Sequence, residues 1–302
     1  AEQAMFTKED FLENERIVVQ KAWMDTKRKN NRPQIADAVA RIVSQVEAFK
    51  PDIILLGDDN AANYIGNQYI DTGIPVVFWG INGLPVRYGL IDSLDRPGHN
   101  VTGIYQAGYL KENIVFLKKI VPSIRTIAIL SDDSPTGRSK VKALEQLAQQ
   151  GELPVKIIGS VVTNGYEEWK LQAQRLSKKV DAFFVLNHNT LKDVHGKVVD
   201  QLEAGRWYLT NILKPDCAHE KQFAQEGILL VVDDSGFKQG YEAMQIALSI
   251  VLGGRDPADI PVRAPTRGPV IVNRQRAEML GIDISAIDFV EETIAEALAL
   301  KP

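Results

Sequence analysis

The sequence predicts an α/β fold of two lobes, each a doubly wound parallel sheet, and three observations carry that prediction. Uninterrupted apolar runs bounded by turn residues recur, among them Asp52-Ile53-Ile54-Leu55-Leu56-Gly57 and Pro75-Val76-Val77-Phe78-Trp79. A strand buried on both faces reads this way, as strands of parallel sheets do. Segments with apolar residues at helical spacing alternate with these runs, which implies βαβ crossovers. The alternation breaks once, at Arg96-Pro97-Gly98-His99-Asn100-Val101-Thr102-Gly103. Pro97-Gly98 is a turn signal, Asn100 to Ile104 can run extended, and no amphipathic helix ties the segment to the strand before it. The break reads as a crossing between two α/β units, and 302 residues is about twice a common domain.

Taken in order, Glu2 to Asn14 reads as a short helix and Arg16 to Met24 as a strand. Pro33 sits at a helix start, followed by Ile35, Val39, Ile42, Val43, Val46 and Phe49 at helical spacing. The run 52–57 is the next strand, and Asp58-Asp59-Asn60 are good N-caps for a helix to about Asp71. Residues 75–79 form a further strand, ending in Gly80-Ile81-Asn82-Gly83. The second unit opens with a helix from Gly108 to Val121 that aligns Leu110, Ile114, Leu117 and Val121. Strands are expected at 125–131, 154–160, 181–186, 207–210 and 227–232, with helices near 138–150, 165–179 and 190–205. A long helix spans about 236–252, with Phe237, Tyr241, Met244, Leu248 and Val251 at helical spacing, and Gly253-Gly254 ends it. A proline-punctuated link leads to a strand at 270–272, a helix from Asn273 to Leu280 and a terminal amphipathic helix.

Composition narrows the function. The formal net charge is −4 and the isoelectric point about 5.7, without the basic face of a nucleic-acid binder. The densest basic run, Lys27-Arg28-Lys29, is short and reads as a solvated strand end. One cysteine, Cys217, rules out an intramolecular disulfide. No apolar run approaches the roughly 18 residues of a membrane span. No phosphate loop, nucleophile elbow or dinucleotide fingerprint is present. Cys217-Ala218-His219 alone has ligand-like spacing, which is weak support for zinc. No metal, cofactor or catalytic residue is assigned.

Several segments together resemble one family, the solute-binding proteins of bacterial ABC importers whose relatives bind aromatic amino acids. Arg96 to Gly103 is similar to that family's RPGGNVTG signature. Lys50-Pro51-Asp52 with Ile74 to Phe78, Gly253 to Pro261, and Ile271-Val272-Asn273 with Leu280-Gly281-Ile282 resemble its other conserved-order segments. The resemblance covers roughly residues 16–290. It implies the type I periplasmic-binding-protein fold, with three hinge crossings near Gly103, near Ser235 and within 262–272. Lobe one would hold 1–103 plus 236–265, and lobe two 104–235 plus 266–302. Relatives begin with a strand and a helix, whereas the segment 16–24 fits their second strand. The first strand is therefore expected to be missing from this sequence, and the natural protein to be longer.

In open parallel sheets, ligands sit beyond the carboxyl ends of the strands, where helix N-termini point outward. That rule selects Asp58, Asp59, Asn60, Trp79 and Asn82 in lobe one. In lobe two it selects Ser131, Ser134, Thr136, Asn187, Asn189, Thr190, Asn211 and Asp233. Such side chains can hold a zwitterion, with carboxylates for an ammonium and N–H groups and hydroxyls for a carboxylate. Each has a second reading: Asp58 to Asn60, Ser134 and Thr136 as helix caps, Trp79 as core, Asp233 as a hinge cap. The expectation is a monomeric, non-catalytic protein, periplasmic or extracellular and membrane-anchored after loss of its signal sequence. It would bind a small polar solute, an amino acid and possibly an aromatic one, by hinge closure and dock on a membrane permease. The alternative is the ligand-binding sensor domain of a membrane signalling receptor.

Overall fold

The computed structural model describes residues 10–26, 29, 31–234 and 236–301. Residues 2–9 of the expected first helix, Lys27 and Arg28 of the basic run, and Ser235 at the expected second crossing lie outside the described residues. The chain divides into two compact units, Ala1–Gln106 with Gly236–Pro265 and Ala107–Ser235 with Thr266–Pro302.

Unit one opens with β1 (Phe11–Glu13) and β2 (Val18–Gln20), an antiparallel pair that forms its own two-stranded sheet. This corrects two expectations. Residues 11–13 are strand, not helix, and the 16–24 run contributes three strand residues that do not join the parallel sheet. The Asn14 side-chain carbonyl accepts the N–H groups of Arg16 and Ile17, each at 2.9 Å, and turns the chain back on itself. Ile17, Val18 and Trp23 stay exposed and only Met24, at the end of the run, is buried in the core, so the run lacks the alternating buried face that would anchor it in a sheet.

Next comes α1 (Arg32–Phe49), capped by Asn31, whose side chain accepts the Gln34 N–H, with Pro33 in its first turn. Then follow β3 (Ile54–Gly57), α2 (Asp59–Tyr64), β4 (Val76–Ile81) and β5 (Val101–Tyr105). The helix expected to reach Asp71 stops at Tyr64 and gives way to a 3₁₀ turn at Gly66–Gln68. Strands β3, β4 and β5 form an all-parallel sheet in that order. The signature segment lies wholly inside this unit. Asn100 donates to the carbonyls of Tyr69 and Ile74 and accepts the Asp71 N–H, stitching the turn before β4. Gly103 lets β5 pass β4 closely, since a Cβ there would lie 2.2 Å from the Phe78 carbonyl oxygen.

Unit two builds α3 (Leu110–Ile120), β6 (Thr126–Ser131), α4 (Pro135–Gln149), β7 (Lys156–Val162), α5 (Tyr166–Ser177) and β8 (Ala182–Val185). It continues with α6 (Gln201–Asn211), β9 (Asp216–Ala218), α7 (Lys221–Glu226) and β10 (Leu230–Val232). The chain returns to unit one as α8 (Gly236–Val251) and finishes in unit two with β11 (Val270–Asn273), α9 (Arg274–Met279) and β12 (Glu292–Ile294). The seven strands run in the order β12-β11-β10-β9-β8-β6-β7, parallel except at β10–β11.

Here too the sequence reading needs correction. Trp207 to Thr210 is not a strand but the middle of α6, whose start is set by the Asp200 side chain accepting the Leu202 and Glu203 N–H groups. Residues 190–199 are loop rather than helix, turned at Asp193, which accepts the N–H groups of His195 and Lys197. A four-residue apolar run does not distinguish a strand from a buried helix face. At the end of the chain, β12 and a 3₁₀ turn at Leu298–Leu300 replace the expected helix.

The three-stranded sheet of unit one and the seven-stranded sheet of unit two are each covered on two faces. In unit one, α1 and α2 lie over one face with Ile42 and Ala62. The other face takes α8 through Ala243, Ile246, Ala247 and Ile250. The set Phe237, Tyr241, Met244, Leu248 and Val251 is not the buried face of α8: Phe237 is 74% and Tyr241 58% exposed. In unit two, α3 and α4 bury Ile114, Leu117, Val141 and Leu144 on one face. Trp169 of α5, Tyr208 of α6 and Phe223 of α7 fill the other.

Candidate functional site

Because β3, β4 and β5 are parallel, the loops that follow them emerge at one edge of the unit-one sheet. Asp59, in the first turn of α2, joins two of those loops. One of its oxygens accepts the Gly83 N–H at 3.0 Å and the Tyr88 hydroxyl at 2.7 Å. The other accepts the Asn82 N–H at 3.2 Å and the Asn82 amide at 3.1 Å. Burial and this bond to Asp59 push the Tyr88 phenol well above its usual value. Asp58 is exposed, caps α2 through the Asp59 N–H, and donates its own N–H to the Trp79 carbonyl. Asn60 donates to the Thr26 hydroxyl.

Trp79 is partly buried in the cluster under α8. A Cβ on Gly57 would lie 2.8 Å from its ring, and one on Gly240 would lie 3.7 Å from its Nε1. The ring thus closes the seam between the end of β3 and α8, the core reading of this residue. Asp58, Asp59, Trp79 and Asn82 are brought together.

In unit two, β7, β6, β8, β9 and β10 are mutually parallel, so the loops after them share one edge. Asp132, fully buried, organises two of these loops. Its Oδ1 accepts the Ser134 hydroxyl at 2.6 Å, and its Oδ2 accepts the Thr190 N–H at 3.1 Å. Its own N–H donates to the Asn187 carbonyl at 2.6 Å. The Asn164 side-chain oxygen accepts the Asp133 N–H and the Thr190 hydroxyl, tying in the loop after β7. Ser134 also caps α4 by accepting the Gly137 N–H; Thr136, partly buried, lies in the same first turn. Asn189 is exposed at the loop tip, and Asn187 keeps its buried side-chain oxygen without a hydrogen-bond partner. A group that can still accept at the loop edge suits a ligand donor.

Two of the selected residues do not fit a ligand role. Ser131 is fully buried and its hydroxyl donates to the Asp132 carbonyl. Asn211 is the last residue of α6 and donates to the Trp207 carbonyl. It precedes β9 instead of following a strand, which puts it at the opposite edge of the sheet from the other loops. Asp233 is buried; its Oδ1 accepts the Lys221 N–H at the start of α7, and burial raises its carboxyl above the usual value. Asp234, also buried, accepts the Gly108 N–H at 2.7 Å.

The sequence reading missed Asn164, Tyr88 and Lys140, and weighed His219 only beside Cys217 as weak support for zinc. The carboxyl-end rule, applied to the strand at 154–160 as to the others, would have reached Asn164. His219 follows β9 at the same edge, fully buried, with Nε2 3.2 Å from a Glu220 oxygen. Burial first, then the Lys140 charge, pushes it down to about 4. Lys140 is itself buried on α4, and that burial lowers its basicity. Among the described residues no cluster of three or more His, Cys, Asp or Glu could hold a metal ion. Nor is any helix long and apolar enough to cross a membrane.

Residues 18–292 match the sequence model of the ABC transporter substrate binding protein family. A tyrosine-binding protein of Clostridioides difficile strain R20291 is 23% identical over 264 residues, 86% of this chain and 70% of that protein. Among solved structures, a ligand-free, open substrate-binding protein with adhesive properties from Clostridium difficile superposes with a TM-score of 0.69 at 22% identity, over 86% of this chain and 84% of that one. An ABC domain in complex with L-Trp from Streptococcus pneumonia gives a TM-score of 0.59 at 22% identity, over 85% and 84% of the two chains. With nine-tenths of its length matched by the family model, the chain belongs to the ABC transporter substrate-binding proteins.

Proposed function

We propose that this protein binds an amino acid, with an aromatic one as the first choice, and delivers it to the membrane permease of an ABC importer. The observation that carries the proposal is the convergence in unit two of Ser134, Asn187, Asn189 and Thr190 at one sheet edge, arranged by Asp132 and Asn164. This edge offers a helix N-terminus for a carboxylate, carboxylates for an ammonium and amides for either. Relatives named for tyrosine and L-Trp make those two the first ligands to try. Membership of a binding-protein family supports binding without turnover. An extracytoplasmic location, a membrane anchor, a monomeric state and hinge closure on the ligand belong to the same proposal.

Isothermal titration against the twenty amino acids tests it. Tyrosine or tryptophan should bind with a Kd in the micromolar range or below, about −8 kcal/mol or stronger. If none of the twenty binds, the ligand class falls while the family stands. Small-angle scattering with and without the best ligand checks closure, which should reduce the radius of gyration. No observation favours the sensor-domain alternative.

A further inference from the structure

His188 stands in the middle of the loop after β8, and its side chain is buried where its neighbours are not. Exposure alternates along the loop: Leu186 and His188 are buried, Asn187 is part-exposed and Asn189 exposed. The His188 Nδ1 lies 3.2 Å from the Leu186 carbonyl oxygen, which can only accept, so that nitrogen carries a proton. Its Nε2 lies 3.1 Å from Oε2 of Glu226, the last residue of α7 and itself buried. These two atoms are at ion-pair distance but out of line for a hydrogen bond, and neither has a hydrogen-bond partner among the described residues. The other Glu226 oxygen accepts the side-chain amide of Gln201, the first residue of α6. The ring thus joins the loop after β8 to the end of α7 and the start of α6.

Packing alone does not fix this ring. A cavity of about 10 Å³, at the lower limit for one water molecule, is lined by His188, Glu226, Trp169 and Gly227. The Trp169 and Phe223 rings lie 6.4 and 5.6 Å away, centre to centre. With slack beside it, the ring takes its direction from its two polar contacts. In the same loop, Asp132 holds the Asn187 carbonyl at 2.6 Å and the Thr190 N–H at 3.1 Å. Residues 187 and 190 are therefore tied to Asp132, and residue 188 to Glu226. We propose that His188 is a positioning residue of the unit-two site: anchored by Glu226, it sets the direction in which Asn187 and Asn189 present their amides to a bound solute. A side chain held inward at 188 keeps those on either side of it outward. The Asn187 side-chain oxygen, without a hydrogen-bond partner among the described residues, is the acceptor this aims. The solute's identity as an amino acid rests on the function proposed above; the coupling of Glu226 to the loop does not.

The test uses the full chain, three substitutions (Glu226→Gln, Glu226→Asp and His188→Phe) and tyrosine as the probe. Glu226→Gln keeps the volume and an oxygen for Gln201 but removes the charge facing Nε2. It should weaken tyrosine by about fivefold or more, the scale of one hydrogen bond. Glu226→Asp keeps the charge and should recover part of that loss. His188→Phe should weaken tyrosine comparably, and adding Glu226→Gln to it should cost little more, because the two residues act as one contact. In ¹H–¹⁵N spectra the Asn187 and Asn189 side-chain amides should move in E226Q, while that of Asn82 in unit one stays in place. A pair that only supports the fold would lower the Tm and leave the tyrosine affinity and the Asn187 amide unchanged; that result overturns the proposal. So does an E226Q loss that adds in full to the H188F loss. Should H188F fail to fold, the comparison of E226Q with E226D and the amide shifts decide. If no amino acid binds even the unsubstituted protein, the amino-acid reading falls and the amide shifts decide alone: Asn187 and Asn189 displaced in E226Q keep the positioning role, and unmoved amides remove it. Tyrosine binding indifferent to E226Q does the reverse, keeping the amino-acid reading and removing the role of His188.

Discussion

The Asp132 carboxylate accepts the backbone N–H of Thr190 at 3.1 Å, across 58 residues of sequence, while its other oxygen holds the Ser134 hydroxyl. One buried side chain thereby sets the distance between the loop after β6 and the loop after β8, the two loops richest in candidate ligand contacts. An acceptor-only group suits this position, because both neighbours donate.

Asp132→Asn turns one acceptor into a donor facing an N–H or a hydroxyl. Each buried donor left unmet costs about 1–3 kcal/mol. The variant should show a lower unfolding midpoint and a severalfold weaker affinity for whichever amino acid binds. Thermal unfolding paired with titration calorimetry measures both; an unchanged midpoint would mean that water reaches these donors.

Arg276 and Asp216 form a fully buried ion pair at 2.6 Å. The guanidinium also donates to the carbonyls of Leu209, Ile212 and Lys214, and Asp216 accepts the Leu229 N–H. Arg276→Met strands the Asp216 charge and should destabilise the protein by about 3–5 kcal/mol. Pairing it with Asp216→Leu should recover part of the loss, and denaturant unfolding of the two singles and the double supplies the cycle.

Gly103 faces the Phe78 carbonyl and ring so closely that a Cβ would sit 2.2 Å from the oxygen and 2.6 Å from the ring. Gly103→Ala should shift β5 off β4 and cost about 1–3 kcal/mol, as overpacking does. A variant with the original urea midpoint would show that the β4–β5 ladder yields easily.

His99, in the signature segment, lies 2.8 Å from Asp71 and 3.4 Å from Asp92. Its bond to Asp71 is the largest influence and raises its basicity above the usual 6.5. A base strengthened by folding contributes stability that is fully present below its unfolded value and lost as pH rises through its folded value. The Tm gap between the unsubstituted protein and His99→Gln should therefore be wider at pH 5.5 than at pH 8.5. The site is part-exposed, so the gap should also shrink in high salt. A gap that is flat in pH would show that His99 is not charged in this triad.

What the sequence determined by itself is whatever depends on local pattern and backbone chemistry. Ile54 to Leu56 and Val76 to Phe78 read as parallel strands because both of their faces are buried, which leaves no polar alternation. Asp58 and Ser134 were legible as helix caps because a cap acts within three residues, and Pro33 as a helix start, while its cap Asn31 was not read. The carboxyl-end rule found the loops holding Asp59, Asn82, Asn187 and Thr190, since parallel strand direction alone sends them to one edge. Only the tertiary structure decided the rest, because it turns on contacts between residues far apart in sequence. Trp207 to Thr210 became helix as Tyr208 and Leu209 found a core and Arg276, more than sixty residues on, gathered the carbonyls behind them. Ser131, a loop hydroxyl in one dimension, turned inward, and Asn211 fell at the opposite sheet edge once β9 began at Asp216. The burial of Lys140 on α4 is a property of the elements packed around it, which no local window contains.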